Sequence, residues 1–378
     1  MEATEPNTSS LNTVNECSDF SPLDLTDEED AAIFVLNAGT GRIMMIVLYS
    51  ILAVGIPSNL AFLFVVYRVR CMQTSTNVYL SSLAISDIMF LVVSIVQYYF
   101  YFINPVRSHI PSAELVTCVG AFIPQYITYF ASVSMVTMVT LERYKAVCKP
   151  LEKIRRSRGK AWLWKLVIGS WAVAVGLAGI SMLRYGKLIR YCAIWPDRAE
   201  YDDLPVVLGY CVPVNTWGLV AGHLLEIVVF IVGMITNVTM YVMMIFSLHT
   251  RVKRKREHSV VPSSHTKEAL NVRNQVALML VSNGVVFFLC QLPYVACSCA
   301  TLIENLMGVP RTVTYKKLVI LTTISHVCLF LNSAVNPFIY NVSSRHYRNA
   351  FVQAFFGSSA KGNHQRVVRT DKYKDAML

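Results

Sequence analysis

The sequence predicts an all-α membrane protein, a bundle of seven transmembrane helices with a short amphipathic helix after the seventh. Two observations carry this prediction. Of the 378 residues, 54% are hydrophobic and only 15% are charged, whereas a soluble domain carries roughly 25% charged residues. The apolar residues also form seven long segments, and a helix needs roughly 20 apolar residues to cross a bilayer core. An ordinary soluble enzyme and a disordered chain are therefore both disfavoured.

The seven apolar segments almost lack charged residues. In order they cover residues 43–67, 77–106, 115–141, 161–183, 218–248, 274–303 and 318–344. Two acids lie inside them, Asp87 in the second and Glu226 in the fifth, and Lys165 interrupts the start of the fourth. The segments are longer than the apolar runs typical of buried helices in soluble proteins. They do not alternate in hydrophobicity as membrane β-strands do, so helices are predicted.

The distribution of basic residues predicts the orientation. Of the 34 Lys and Arg residues, 25 lie in segments that share a side with the C-terminus. Cytosolic loops carry such an excess, so we expect an extracellular N-terminus and a cytosolic C-terminus at the plasma membrane. The net charge of +11 then reflects this bias and attraction to anionic membrane lipid, not nucleic acid. The predicted parts are an acidic extracellular tail (1–42), the bundle (43–344), the amphipathic cytosolic helix (345–356) and a cytosolic tail (357–378).

The predicted extracellular segments carry an acidic tail and four of the ten cysteines. Residues 1–30 contain nine acids and no Lys or Arg, a composition typical of disorder, and Asn7 begins a glycosylation motif. Cys17, Cys118, Cys192 and Cys211 lie on this oxidising side. We expect a bridge between Cys118 and Cys192, which would hold the long second outer loop over the bundle. Cys17 with Cys211 is a second pairing, although cysteine counts alone leave the connectivity open.

Polar side chains inside the predicted spans are a strong functional signal, because they are costly at membrane depth. Asn59 lies in the first span, Asp87 in the second and Ser132 in the third, while Asn332 and Asn336 lie in the seventh. One interpretation is that these side chains form scattered hydrogen bonds between helices. The other is that they form one polar core around the carboxylate of Asp87.

A set of short motifs falls in a fixed order within the seven spans. They are Asn59, Asp87, Cys118, Glu142-Arg143-Tyr144, Trp171, Cys290-Gln291-Leu292-Pro293 and Asn336-Pro337-Phe338-Ile339-Tyr340. Through them the chain resembles the rhodopsin-like (class A) G-protein-coupled receptors, from residue 43 to about residue 356. Segments 76–80 and 142–151 are most similar to neuropeptide receptors of the thyrotropin-releasing-hormone, neuromedin and orexin type.

The resemblance implies a receptor rather than an enzyme. An agonist in the outer cavity would move the inner end of the sixth helix outward, so that a heterotrimeric G protein can bind. The residues that the resemblance implies for coupling and activation are Glu142, Arg143, Tyr144, Leu151, Tyr241, Pro293, Asn336, Pro337 and Tyr340. Members of the family also hold a sodium ion as an allosteric modulator, and the matching residues here are Asp87, Ser132, Asn332 and Asn336.

Three positions depart from the family pattern. Gln291 stands where the family usually has Trp, and Gly233 stands where it usually has Pro in the fifth span. Arg273 occupies a place where some members have an acid that latches Arg143, which argues against such a latch here. These departures leave open which residue triggers activation and how strongly the resting state is favoured.

The outer halves of the spans indicate the chemistry of the ligand. Gln125 stands where amine receptors of the family use an acid, which disfavours a small amine, and residues 318–344 contain no Lys for a retinal. The side chains expected to line the site are aromatic or can form hydrogen bonds: Gln97, Tyr101, Gln125, Tyr126, Tyr129, Glu226, Gln291, Tyr294 and His326. Such a wall suits a ligand cavity, although single tyrosines also serve packing or the membrane interface.

We expect the ligand to be an extracellular neuropeptide, basic and amidated at its C-terminus. The outer segments carry a net charge of −6 and would attract cations. Glu226 has no basic neighbour within its own span, and the expected cavity residues include no Lys or Arg to pair with a free carboxylate. The alternatives are a non-peptide small molecule and, in another functional class, a seven-helix transporter or proton-coupled pump, which needs ionisable residues across the membrane.

Overall fold

Seven long helices form one bundle in the described part of the protein, with a small sheet at one end and a short helix at the other. The structure is a computed structural model. It describes residues 20–35, 38–103, 106, 114–149, 159–257, 264–309 and 311–357. We call the two ends of the bundle the sheet end and the α9 end.

The long helices follow the order of the predicted spans. After the short helix α1 (Glu28–Phe34), they are α2 (Ala38–Arg68), α3 (Ser75–Ile103), α4 (Glu114–Cys148), α5 (Lys160–Ser181), α6 (Thr216–Glu257), α7 (Ser264–Leu306) and α8 (Arg311–Ser343). Six of them are long and apolar enough to cross a membrane among the described residues, and the 33-residue α8 packs between α7 and α2. The predicted seven-helix fold is confirmed. The helices α6 and α7 extend well beyond the apolar segments, because Lys, Arg and Glu favour helix even in water.

At the contact between α2 and α8, a buried side-chain amide supplies a hydrogen bond that the backbone of α8 lacks. Pro337 lies inside α8 and has no N–H, so it leaves the carbonyl of Ser333 without its usual helical donor. The Nδ2 of Asn59 donates to that carbonyl at 2.8 Å. Gly55 makes the approach close, because a Cβ there would lie 2.9 Å from the Cβ of Ala334. The sequence signal at Asn59 therefore has a structural reason.

The sheet end is covered by three strands, β1 (Ser21–Asp24), β2 (Lys187–Ile194) and β3 (Val207–Val212), in the order β1-β2-β3. The strands β2 and β3 form an antiparallel hairpin in which Lys187 faces Val212, and β1 runs parallel to β2. The sheet has its own apolar core, formed by Leu25, Ala31, Val106, Ala193 and Leu208. The second outer loop, which the sequence predicted only to be held over the bundle by a disulfide, thus contributes two strands to a folded cap.

Part of the predicted disorder in residues 1–30 is wrong. Residues 20–35 form β1 and α1 and contribute to the core of the cap. The acids themselves favour α1, because the side chain of Asp27 accepts a hydrogen bond from the N–H of Glu29 at 2.9 Å, and Glu28, Glu29 and Asp30 occupy the first turn. Residues 1–19, including Asn7, lie outside the described residues.

A short amphipathic helix, α9 (Arg345–Phe356), follows α8 as the sequence predicts. It buries Tyr347, Ala350 and Ala354 against the bundle, while the side chain of Phe356 is 78% exposed. The ring of Tyr347 stacks on that of Phe62 in α2, with the centroids 6.3 Å apart. The helix therefore closes the bundle at the end opposite the sheet.

Candidate functional site

The disulfide that anchors the cap differs from the predicted one. Cys118, near the start of α4, is bonded to Cys211 of β3, and the two Cα atoms lie 5.6 Å apart. The expected pairings of Cys118 with Cys192 and of Cys17 with Cys211 are both wrong. The hairpin register gives the reason: Cys211 lies opposite Leu188 near the open end of the hairpin, whereas Cys192 lies four positions further along β2, beside β1. Cys192 is itself disulfide-bonded, and Cys17 lies outside the described residues.

Beneath the cap, a cavity lies between α3, α4, α6, α7 and α8. It is lined by Phe90, Gln125, Tyr126, Thr128, Tyr129, Ser132, Glu226, Gln291, Tyr294, His326, Leu329, Asn332 and Ser333. Seven of the nine residues predicted to bind ligand are in this lining. Gln97 is not, although its side-chain oxygen is buried without a hydrogen-bond partner among the described residues, and the side chain of Tyr101 lies outside them.

The tyrosines of the cavity hold one another in place. The hydroxyl groups of Tyr126 in α4 and Tyr294 in α7 are 3.0 Å apart and form a hydrogen bond. The ring of Tyr294 also lies edge-on to His326 of α8, with the centroids 5.9 Å apart. The hydroxyl of Tyr129 is buried and has no hydrogen-bond partner among the described residues. The wall therefore joins three helices and leaves a polar group for a ligand or water.

Glu226 has a basic partner that the sequence analysis missed. Arg184 ends the 3₁₀ turn Met182–Arg184 after α5, and its side chain enters the bundle between α4 and α6. Its Nη1 and Nη2 donate to Glu226 Oε2 at 3.0 and 3.1 Å. Nη2 also donates to the hydroxyl of Tyr126, and Nη1 lies 2.6 Å from His223 Nδ1, which must accept because a guanidinium has only donors.

This ion pair corrects one premise about the ligand. We expected the site to contain no Lys or Arg, yet Arg184 is 4% exposed and bonds to two of the predicted ligand-binding residues. The sequence assigned Arg184 to a loop because it follows a charge-free segment directly. A long basic side chain at that position can turn back into the bundle, and no periodicity in the sequence indicates which way it turns.

Gln291, which stands where the family usually has the larger Trp, is a polar part of the cavity wall. Gln291 is 3% exposed, and its Oε1 has no hydrogen-bond partner among the described residues. The same cavity is lined by Glu226 near the cap and by Ser132 and Asn332 deep in the bundle. Gln291 therefore does not separate the cap side of the cavity from the deeper polar residues.

The deeper polar residues make one of the hydrogen bonds expected of the polar core that the sequence analysis considered. The Nδ2 of Asn336 donates to Asp87 Oδ2 at 2.7 Å, and Ser132 lies 3.0 Å from Ser86, oxygen to oxygen. Three buried oxygens have no hydrogen-bond partner among the described residues, namely Oδ1 of Asp87, Oδ1 of Asn332 and Oδ1 of Asn336. Hard cations prefer oxygen ligands, so one carboxylate with unsatisfied amide oxygens fits a sodium ion. No group of three or more His, Cys, Asp and Glu side chains among the described residues is arranged to hold a metal ion.

The α9 end holds the residues implied for coupling. Arg143 is 8% exposed. Tyr241 bonds to Thr140, with the oxygens 3.1 Å apart, and donates to Asn237 Oδ1 at 3.4 Å. Gly284 of α7 leaves the space for Tyr241, because a Cβ at this position would lie 1.7 Å from the Tyr241 hydroxyl oxygen. Tyr241 is thus held between α4 and α7.

The other coupling residues surround this point. Tyr340 is buried, with its ring 5.2 Å from that of Phe62, and Tyr144 packs beside the cluster that contains Tyr241. Pro293 and Pro337 lie inside α7 and α8. Glu142 lies in α4, one residue before Arg143, and Leu151 lies outside the described residues.

The positive charge of Arg143 acts electrostatically on two residues of α9, His346 and Tyr347. Burial and the nearby positive charge of Arg143 lower the pKa of His346 below its usual value. Burial raises the pKa of Tyr347 to about 12 although Arg143 acts in the opposite direction, and the Tyr347 hydroxyl donates to Asn77 Oδ1 at 2.5 Å. The side chains of His346 and Tyr347 are therefore both neutral at pH 7.

The chain is similar in sequence to known receptors. The family described as "7 transmembrane receptor (rhodopsin family)" matches residues 58–340. The human thyrotropin-releasing hormone receptor is 27% identical over 362 residues, covering 88% of this chain and 82% of the receptor. The neuromedin U receptor homolog nmur-2 of Caenorhabditis elegans is 25% identical, over 85% of this chain and 81% of the relative. The growth hormone secretagogue receptor type 1 of Sus scrofa is 30% identical, over 80% and 77%.

Proposed function

The chain belongs to the rhodopsin family of seven-transmembrane receptors, and we propose that it is a neuropeptide receptor of the plasma membrane that signals through a heterotrimeric G protein. Its relatives include receptors named for thyrotropin-releasing hormone and neuromedin U. The family consists of receptors, so no enzymatic activity is assigned. The seven-helix transporter or pump is not favoured.

The observation that carries the proposal is the cavity beneath the cap. It joins five helices, and its wall combines apolar and aromatic side chains with a few polar groups, as is usual for small-ligand sites. Its lining combines tyrosines with the amides of Gln125 and Gln291. Such a wall can hold the end of a peptide while the rest of the peptide lies on the sheet β1–β3. A non-peptide small molecule would fit the same cavity and is the alternative outcome of the test below.

We place the sheet end outside the cell. Of the 34 Lys and Arg residues, 25 lie in the sequence segments assigned to the side of the C-terminus, as expected of a cytosolic face next to anionic lipid. The disulfide of Cys118 and Cys211 lies at the sheet end, which suits an oxidising compartment. Asn7 would then be available for glycosylation.

Signal transfer would run from the cavity to the α9 end through α4 and α7. An agonist shifts a two-state bundle only if it binds the open state more tightly than the closed state. The helix α7 carries Gln291 and Tyr294 at the cavity, Pro293 between them, and Gly284 beside Tyr241. A helix without the hydrogen bond of Pro293 bends there more easily. We propose that this bend moves the end of α7, exposes Arg143 and lets the G protein bind.

A sodium ion at Asp87, Ser132, Asn332 and Asn336 would favour the closed state. These residues offer unsatisfied buried oxygens, which a cation would satisfy. The ion would act as an allosteric modulator and supplies no chemistry. The G protein and the agonist would strengthen each other's binding by one coupling factor.

Screening a library of short peptides for nucleotide exchange on a co-expressed G protein tests the proposal. Each peptide is offered as a C-terminal amide and as a free acid, because the amides of Gln125 and Gln291 suit a neutral carboxamide better than a carboxylate. We expect activation by an amidated peptide. Ion or substrate flux without exchange would instead identify a transporter, and activation only by a non-peptide compound would contradict the peptide assignment.

Two variants make the screen specific. Arg143→Ala should reach the surface but abolish exchange, since Arg143 lies at the α9 end. Tyr129→Phe should raise the agonist concentration needed for half-maximal response by about tenfold, the effect of one lost hydrogen bond, because the Tyr129 hydroxyl lines the cavity and has no hydrogen-bond partner among the described residues. The matched control is Tyr67→Phe, because Tyr67 is 82% exposed at the end of α2 and should respond like the wild type.

A further inference from the structure

The two oxygens of the Glu226 carboxylate differ in their hydrogen bonds: one accepts three and the other accepts none among the described residues. Glu226 has no exposed surface. Its Oε2 accepts from both terminal nitrogens of Arg184, and from the hydroxyl of Ser298 at 3.0 Å. Its Oε1 has no hydrogen-bond partner among the described residues, and Glu226 lines the cavity. One oxygen is thus engaged with the protein and the other is left over.

The place of Arg184 is built into the fold. Two glycines of α6, one turn apart, let the 3₁₀ turn approach: a Cβ at Gly218 would lie 2.8 Å from the Leu183 carbonyl oxygen, and a Cβ at Gly222 would lie 3.2 Å from the Cβ of Arg184. The guanidinium carbon lies 5.1 Å from the ring centroid of Tyr126 and 5.3 Å from that of Tyr185. Such positions stabilise a cation. Arg184 is therefore held in position by packing as well as by charge.

The pair changes what the cavity can recognise. A buried carboxylate without a cation would favour a positively charged ligand group strongly. Here the positive charge is already supplied, so a second cation at Oε1 would meet the repulsion of Arg184 as well as the attraction of Glu226. An anion would meet the carboxylate directly. A neutral N–H or O–H donor gains a hydrogen bond to Oε1 without either penalty.

We infer that Arg184 is the built-in counter-ion of Glu226, and that this corner of the cavity therefore recognises a neutral hydrogen-bond donor of the ligand, such as a carboxamide, rather than a cationic group. The second part rests on the proposed function, because it assumes that the cavity binds a ligand. It also replaces our expectation that a basic residue of the peptide reaches Glu226. The acids of the cap can still attract basic residues elsewhere in the peptide.

The counter-ion itself can be tested without any agonist. Thermal unfolding of the purified receptor is measured for the wild type, Arg184→Ala and Arg184→Ala/Glu226→Gln. Arg184→Ala leaves a buried, uncompensated carboxylate, so its unfolding midpoint should fall by several degrees, roughly the effect of a strongly destabilising substitution. The second substitution should restore at least half of the loss. Should Arg184→Ala not fold, a folded double variant supports the inference, while a double variant that is no better than the single overturns it.

Chemical rescue separates charge from packing. Methylguanidinium can occupy the space left in Arg184→Ala, and methylurea has a similar shape without the charge. We expect millimolar methylguanidinium to raise the midpoint of Arg184→Ala but not of the wild type or the double variant, and methylurea to have no effect. Equal effects of methylguanidinium and methylurea would contradict the inference that Arg184 acts as a counter-ion. Arg198→Ala is the control, because Arg198 pairs with Glu28 on the surface, where the side chains are 58% and 50% exposed.

The ligand arm uses two pools of amidated peptides that differ only in carrying arginine or the neutral citrulline. The wild type should show no preference that depends on Glu226. Arg184→Ala should shift toward the arginine pool by at least tenfold, and the double variant should lose this shift. A wild type that prefers the arginine pool tenfold, and loses that preference in Glu226→Gln, would overturn the neutral-donor inference and leave the receptor proposal intact. If neither pool activates the wild type or any variant, the peptide proposal is contradicted. The unfolding and rescue experiments still test whether Arg184 is the counter-ion of Glu226.

Discussion

Two carboxylates are buried in the bundle, and the protein holds them in opposite ways. Glu226, beneath the cap, has Arg184 as an internal cation. Asp87, near the middle, has amide and hydroxyl partners and no cationic partner among the described residues. Burying an unpaired charge is costly, so each carboxylate needs compensation. The cap side receives it from the chain, whereas the middle is suited to receive it from a diffusible ion.

The contrast indicates which part of the cavity can be regulated by small ions. A fixed pair such as Arg184 and Glu226 responds little to the salt around the protein, because buried pairs are screened much less than exposed ones. The proposed sodium ion at the unsatisfied oxygens of Asp87, Asn332 and Asn336 would instead exchange with the solvent. The sheet side would thus fix the ligand chemistry, and the middle would set the balance between closed and open states.

The largest expected effect comes from matched amide substitutions of the two acids. Glu226→Gln leaves Arg184 buried without its counter-charge and should lower the free energy of unfolding by about 3–5 kcal/mol. Asp87→Asn removes a charge without exposing a partner, so its cost should stay below about 1 kcal/mol. Thermal or denaturant unfolding of the purified receptor measures both. Equal losses would show that the two carboxylates are held in the same way.

Sodium should distinguish the same two sites with a smaller effect. Replacing choline chloride by sodium chloride should stabilise the wild type, by about 2.7 kcal/mol if sodium reaches a hundred times its dissociation constant. The stabilisation should disappear in Asp87→Asn and persist in Glu226→Gln. Because the ionic strength is constant, general screening cannot produce the difference. A sodium effect that survives Asp87→Asn would remove the proposed ion from this site.

The comparison also shows what the sequence could and could not predict. A polar core of Asp87, Asn332 and Asn336 was one of two interpretations of the sequence, and it could be considered because the spans that carry these residues are visible as long apolar segments. Arg184 was missed because the direction of a side chain at a helix end depends on packing, here on Gly218 and Gly222 of the neighbouring α6. The composition of the chain is enough to locate the membrane spans. Which side chain pairs with a buried charge depends instead on individual packing contacts, which the composition does not reveal.

The cap was the least predictable region, for a related reason. Residues 20–35 are acidic, and composition alone suggested disorder, but Leu25 and Ala31 pack on Ala193 and Leu208 of a distant hairpin. The partner of Cys118 likewise depends on the register of that hairpin, in which Cys211 rather than Cys192 lies at the open end. Pairings across long sequence separations leave little local signal. The cavity residues were easier, because each follows from its position on a span.

Gly284→Ala tests whether Tyr241 is packed as closely at the α9 end as Arg184 is packed beneath the cap. The new Cβ would overlap the hydroxyl of Tyr241 and displace it from Thr140. We expect a loss of about 1–3 kcal/mol in the free energy of unfolding, as for other overpacked cores, together with altered ligand-independent nucleotide exchange. Gly169→Ala in α5 is the control, because a Cβ there has no atom within 4 Å and should not destabilise. Equal behaviour of the two variants would show that Tyr241 relocates without cost.

The smallest expected effect is a pH dependence at α9, away from both carboxylates. Burial and Arg143 lower the pKa of His346, so the unfolded chain, where histidine has a pKa of about 6.5, binds the proton more readily. Stability contributed by neutral His346 is present above this value and is lost as the pH falls below it. The slope cannot exceed about 1.4 kcal/mol per pH unit, the limit for one proton.

His346→Gln isolates this contribution, because glutamine keeps a polar side chain and does not titrate. We expect the difference in free energy of unfolding between the wild type and this variant to change between pH 7.5 and 5.5, with the wild type losing more at low pH. Hydrogen exchange of the α9 amides should report the same change locally, since a protonated His346 repels Arg143. Glu226→Gln should leave the α9 exchange unaltered, because Arg184 and Glu226 lie at the opposite end. A pH slope that is unchanged in His346→Gln would place the titrating group elsewhere and separate α9 from the electrostatics of Arg143.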